Sequence, residues 1–139
     1  LNEPEVIDEI LEKSKVIAVL GISDKPERAS HGVAAQMQRR GYRIVPVNPM
    51  LTSVLGEDCY PTLAEIPFPV DLVDVFRASE FVPKIVEETI AIGAKYLWLQ
   101  EGVMHPEAIA RAEANGIKVV ANRCIFKDHL SWMAEKGAR

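Results

Sequence analysis

Five short apolar runs punctuate this chain: Lys15–Leu20, Arg43–Val47, Asp71–Phe76, Lys95–Leu99 and Lys118–Ala121. Each is bounded by Gly, Pro, Asn or a charged residue. Their continuity suits strands buried on both faces of a parallel sheet. Helical patterns fill the gaps. Val33–Arg40 precedes Gly41, Phe81–Ile92 precedes Gly93, and Glu107–Ala114 precedes Gly116. A glycine just past a helix can take the left-handed conformation that ends it. Ser79 stands where an N-cap is expected, and Pro106 in a first turn. The alternation predicts βαβ units around one sheet, with the strands in the order 3-2-1-4-5. Helices over Pro4–Glu12 and about Ile125–Glu135 are expected to pack outside it. The Pro-rich segment 48–69 is less regular, with a short helix near Thr62–Ile66. No linker, repeat or low-complexity tract interrupts the 139 residues, which predicts one three-layer α/β domain over 1–139 with a mainly parallel five-stranded sheet.

Charge and cysteine usage narrow the function classes. Sixteen Lys and Arg against 20 Asp and Glu leave a net charge of -4, which disfavours a general nucleic-acid binder. Cys59 and Cys124 share no CxxC spacing and have no partnering histidine motif, so neither a zinc site nor a disulfide framework is expected. A reducing, cytoplasmic setting follows. No apolar run approaches the roughly 20 residues that span a bilayer, and Leu1–Lys13 carries no signal-peptide pattern. His31, His105 and His129 lack metal-ligand spacing.

The first run ends at Gly21, and a polar loop then leads to a helical pattern. This is the opening of a nucleotide-binding α/β domain. A dinucleotide fingerprint would need a second glycine at position 23, where Ser23 stands. A phosphorylated nucleotide other than NAD is therefore expected. Free N–H groups near Ser30, His31 and Gly32 would attract phosphate, and Ser30 also suits an N-cap.

Open parallel sheets bind ligands at the carboxyl ends of their strands. The candidate residues are therefore those after each run. They are Gly21, Ile22, Ser23, Lys25, Arg28, Ser30, His31 and Gly32; Asn48 and Pro49; Phe76 and Arg77; Gln100, Glu101 and Gly102; and Asn122, Arg123 and Cys124. Lys25, Arg28, Arg77 and Arg123 gathered on one rim of an acidic protein point to an anionic ligand. Asn48 takes the place where NAD enzymes carry an acidic ribose ligand. Its amide suits a sugar or base, and Asn48-Pro49 equally suits a turn. His105 before Pro106 suits a helix cap. Glu101 and Cys124 have the chemistry of a base and a nucleophile, but neither has a partner at a suggestive spacing, so no catalytic set is expected.

Five segments together carry a family pattern: Val19-Leu20-Gly21-Ile22-Ser23, Gly41 through Pro49, Asp71 through Arg77, Leu97 through Gly102, and Asn122-Arg123-Cys124. The chain resembles the CoA-binding domain family, in particular its small stand-alone members. It is also similar, more distantly, to the N-terminal domain of the succinyl-CoA synthetase alpha subunit. The resemblance implies a Rossmann-like fold with CoA in an extended groove. It implies phosphates held by Gly21 through Gly32. Asn48, Pro49, Phe76 and Arg77 would flank the nucleotide and pantetheine. Gln100, Glu101, Gly102, Asn122, Arg123 and Cys124 would line the far end. The synthetase carries its phosphorylated histidine in a second domain that this chain does not contain, so ligase activity does not follow from the fold. The expectation is a CoA or acyl-CoA binding protein without its own catalysis, acting as a sensor or accessory module, with no nucleic-acid or membrane partner. The alternative is an NAD(P)-dependent oxidoreductase or epimerase.

Overall fold

A computed structural model describes residues 1–138. Its main sheet is built from β1 (Val16–Leu20), β2 (Arg43–Val47), β5 (Leu72–Val75), β6 (Tyr96–Leu99) and β7 (Lys118–Val120), all parallel. A small antiparallel hairpin, β3 (Ser53–Val54) with β4 (Glu57–Asp58), interrupts the irregular segment and has no counterpart in the sequence reading. The five expected strands are thus present. Their order is β2-β1-β5-β6-β7, which is 2-1-3-4-5 among the main strands and corrects the expected 3-2-1-4-5. After β2 the chain crosses back over β1, so that Leu72 through Val75 pair with Ile17 through Leu20.

Side chains alternate across this sheet and bury both faces. One face sets Ala18, Val73, Val75, Leu97 and Leu99 against helices α3 (Val82–Ile92) and α4 (Pro106–Ala114). The other sets Ile17, Val19, Leu72, Trp98 and Val120 against α1 (Pro4–Lys13), α2 (Ala29–Arg39) and α5 (Ile125–Ala138). The result is a three-layer Rossmann-like α/β fold whose strands lack an exposed face, which is why they read as unbroken apolar runs.

Several local expectations change. Helix α2 begins at Ala29, four residues before the apolar periodicity, because the Arg28 carbonyl accepts from the N–H groups of His31 and Gly32. Ser30 lies inside that helix and does not cap it; its Oγ accepts from the Ser23 N–H at 3.0 Å. Ser79 opens a 3-10 turn, Ser79–Phe81, ahead of α3, and its hydroxyl accepts from the Met104 N–H rather than capping the helix. The short helix expected near Thr62 is a 3-10 turn over Leu63–Glu65. His105 does cap α4, its Nδ1 accepting from the Ala108 N–H at 3.1 Å. Gly93 ends α3 with a φ of 74°.

Both edges of the sheet carry an added polar contact. Beside β2, the Tyr60 N–H donates to the Pro46 carbonyl and its own carbonyl accepts from the Asn48 N–H. Beside β7, the Asn2 side-chain amide donates to the Ala121 carbonyl and accepts from the Ala121 N–H.

Candidate functional site

The strand order determines where the loops part. Helix α2, following β1, covers one face, and α3, following β5, covers the other. Between the carboxyl ends of these two neighbouring strands the connections diverge and leave a crevice. A pocket of about 690 Å³ opens there, lined by Gly21, Asn48, Pro49, Phe76 and Arg77 from the strand ends, Thr62 from the irregular segment, and Phe81, Lys84 and Glu88 from the start of α3. A second hollow of about 370 Å³ lies over the first turn of α2, lined by Ser23, Lys25, Arg28, Ala29 and Ser30. It shares Gly21 and Phe76 with the first. The two hollows adjoin at Gly21 and Phe76, which form the waist between them.

The narrow end is lined by two cations and no carboxylate, Asp24 and Glu27 of the same loop lying outside the lining. No side chain caps the start of α2, and its first turn holds no acidic residue. The positive end of the helix dipole is therefore uncompensated, with Lys25 and Arg28 exposed beside it. The loop is braced by its serines, since the Lys25 N–H donates to Ser23 Oγ and the Ser23 N–H to Ser30 Oγ, each at 3.0 Å. At the wide end the Arg77 guanidinium lies 4.1 Å from the centroid of the Phe81 ring, a cation–π contact that holds it along the wall.

The waist requires a glycine. Gly21 has a φ of 80°, and a Cβ there would stand 2.9 Å from the Phe76 carbonyl oxygen and 3.0 Å from Arg77 Cδ. Gly21→Ala is expected to lower stability by about 1–3 kcal/mol through the left-handed conformation and the clash with backbone. Urea unfolding of the variant and the parent checks this; equal midpoints would show that the strands part without strain.

Asn48 acts as a joint between loops. Its Nδ2 donates to the Ile22 carbonyl at 2.8 Å, and its Oδ1 accepts from the Met50 N–H at 2.8 Å. This is the turn role, with the amide at the groove wall. His31 and Gly32 follow in α2, and Ile22 is fully buried beneath the loop.

The residues after β6 and β7 do not line either hollow. They are linked among themselves. Asn122 takes a φ of 57°, and its Oδ1 accepts from the Gly102 N–H at 2.7 Å. Arg123 forms a two-point ion pair with Asp128, both contacts at 2.7 Å. Glu101 pairs with Lys127 at 3.1 Å, and Cys124 is buried. Gln100 is buried too, and its Nε2 donates to Asp74 Oδ1 at 2.6 Å. Burial lifts the Asp74 carboxyl to about 7, against the opposing pull of that hydrogen bond. Thr62, Phe81, Lys84 and Glu88 escaped the sequence reading. Phe81 and Lys84 follow the third strand closely enough for position alone to have marked them, whereas Thr62 is delivered by the chain's return past β2.

Residues 15–129 match the family described as CoA binding domain. An uncharacterized protein of Bacillus subtilis, YneT, is 43% identical over 123 residues, covering 88% of this chain and 91% of that protein. A hypothetical protein from Pyrococcus horikoshii superposes with a TM-score of 0.89 at 39% identity, over 93% of this chain and 91% of that one. An ADP-forming acetate–CoA ligase of Archaeoglobus fulgidus is 29% identical over 121 residues, and the match spans 80% of this chain but 18% of the ligase. Among the described residues no helix is long and apolar enough to cross a membrane.

Proposed function

We propose, on the premise that this chain belongs to the CoA-binding domain family, that it binds CoA or an acyl-CoA in the groove between β1 and β5 and acts as a cytoplasmic binding module, a sensor or accessory, without its own catalysis. The observation that carries the reading is the adjacency of the two hollows. One hollow is lined by Lys25 and Arg28 and sits on a helix start, and it borders a larger one at Gly21 and Phe76. An elongated ligand with phosphates near its middle and an apolar-polar arm fits that shape. Lys25, Arg28 and the first turn of α2 would take phosphate oxygens. Asn48, Pro49, Phe76 and Arg77 would flank the nucleotide and pantetheine. The loops holding Gln100, Glu101, Gly102, Asn122, Arg123 and Cys124 are candidates for the far end of the ligand. Catalysis of acyl transfer needs an accessible nucleophile, and Cys124 is buried while Glu101 is paired with Lys127.

Calorimetry with CoA, acetyl-CoA, NAD and ATP side by side tests the reading. CoA or acetyl-CoA is expected to bind tightest and NAD much more weakly, with no release of free thiol from acetyl-CoA. Arg28→Ala and Arg77→Ala are each expected to cost about 1.5–3 kcal/mol, roughly a ten- to hundredfold rise in Kd, because charge-assisted bonds to phosphate are lost. NAD as the tighter ligand would favour the oxidoreductase class instead. An unchanged Kd in both variants would show that these arginines serve only solvent.

A further inference from the structure

One buried carboxyl lies beneath the groove and lines neither hollow. Asp74 belongs to β5, the central strand of the sheet. Leu72, two residues before it, and Phe76, two residues after it, pack on the face covered by α1, α2 and α5, so Asp74 between them points the same way. Phe76 lines both hollows. Two residues of strand measure about 7 Å, which sets Asp74 one side chain below the waist. Its Oδ1 accepts from the Gln100 Nε2 at 2.6 Å. On β6 the register partner of Asp74 is Trp98, and Gln100 stands two residues further toward the carboxyl ends. That bond therefore reaches Asp74 from the groove end of the sheet.

No cation accompanies the carboxyl. β1 sets Val19 beside it, and the helices present Ile10, Ala34, Met37 and Ile125 to the same face. The other titratable groups buried there are engaged elsewhere or inert. The Tyr42 hydroxyl donates to the Leu11 carbonyl, Tyr96 donates to Glu9, Asp128 holds Arg123, and His129 stands between the Tyr42 and Trp132 rings. Neither they nor Cys124 shift Asp74, which burial holds at about 7 against the pull of the Gln100 bond. Once ionised, Asp74 is an uncompensated negative charge in a medium that screens poorly. An anion bound over Gly21 and the first turn of α2 would raise the energy of that charge, and the charge would weaken the anion by the same amount. We propose that Asp74 makes ligand binding in the groove proton-linked, the protonated carboxyl admitting the anion and the carboxylate opposing it. The proposal rests on the reading that CoA occupies the groove. The complex takes up a proton, and affinity falls as pH rises through neutrality. A coupling of about tenfold, the order expected for charges some 10 Å apart inside protein, raises Kd about fivefold from pH 6 to pH 8 and takes up roughly 0.4 proton at pH 7.

Calorimetry of CoA binding in buffers of different ionisation enthalpy reads the protons directly. At pH 7 the parent is expected to take up about 0.4 proton more than Asp74→Asn, and its ratio of Kd at pH 8 to Kd at pH 6 is expected to be about five times the variant's. Asparagine keeps an oxygen for Gln100 to donate to. Titration of His31 and of the ligand's own phosphates is common to both proteins and cancels in the comparison. A second measurement needs no variant: the carbon-13 shift of the Asp74 carboxyl, followed against pH in the parent, is expected to move its midpoint up by about one pH unit when CoA is added. Equal proton uptake by parent and variant, or an unmoved carboxyl midpoint, overturns the proposal and leaves CoA binding standing. Failure of CoA to bind at either pH overturns the groove reading, and the proposal with it.

Discussion

Asp74→Asn is expected to remove most of the fall in stability that the parent protein shows as pH rises from about 4 to about 7. The carboxyl lies in the middle of the sheet, 2% exposed, and burial holds its pKa near 7 against an ordinary 3.8. Between those values the folded chain keeps a proton that the unfolded chain has lost. Stability is therefore fully present below the unfolded pKa and declines as pH climbs towards the folded one. At 1.36 kcal/mol per unit, the decline between about pH 4 and pH 7 is on the order of 3 kcal/mol. Asparagine retains an oxygen for the Gln100 Nε2 to donate to, so the fold is preserved while the titration is not. Urea unfolding of both proteins at the two pH values makes the comparison. An equal fall in each would assign the slope to other groups.

Trp98→Ala is expected to destabilise the protein by about 3–5 kcal/mol, the range for removing a large aromatic side chain from a packed core. Trp98 is fully buried in the layer between the sheet and α1, α2 and α5. Its Nε1 donates to the Arg123 carbonyl at 2.8 Å, tying the turn before α5 to the sheet. Trp98→Phe keeps much of the volume and loses that bond, so about 1–3 kcal/mol is expected for it. Thermal and urea unfolding of the two variants separates the packing from the bond. A loss below about 1.5 kcal/mol for the alanine variant would mean that the surrounding side chains collapse into the space.

The five main strands could be read from the sequence because each is buried on both faces, and that burial writes itself as a local apolar run. Their order could not. Nothing within Leu72–Val75 states that β5 lies beside β1 rather than beyond β2. That choice is made by long-range pairing. The same gap explains the site. In the expected order the fourth strand would have neighboured β1 and brought Gln100, Glu101 and Gly102 to the crevice. In the observed order β5 stands between them, and the loops after β6 and β7 bond to each other instead. The loops after β1, β2 and β5 were legible as the lining of the groove because position at a strand end alone singles them out. The start of α2 was obscured because Ala29–Gly32 carries no apolar periodicity, and its helical bonds depend on the Arg28 carbonyl.

The polar contacts along the two outermost strands bear on how this molecule meets copies of itself. An exposed strand offers its unpaired N–H and C=O groups to any passing chain, and sheets that extend this way grow without limit. Here the Asn2 amide imitates a peptide group at the carboxyl end of β7, and the backbone of Tyr60 does the same beside β2, where Pro46 has no N–H to offer. Each rim is thereby paired at its carboxyl end. A second copy adding a strand at either of these ends would first have to displace the Asn2 amide or the Tyr60 backbone.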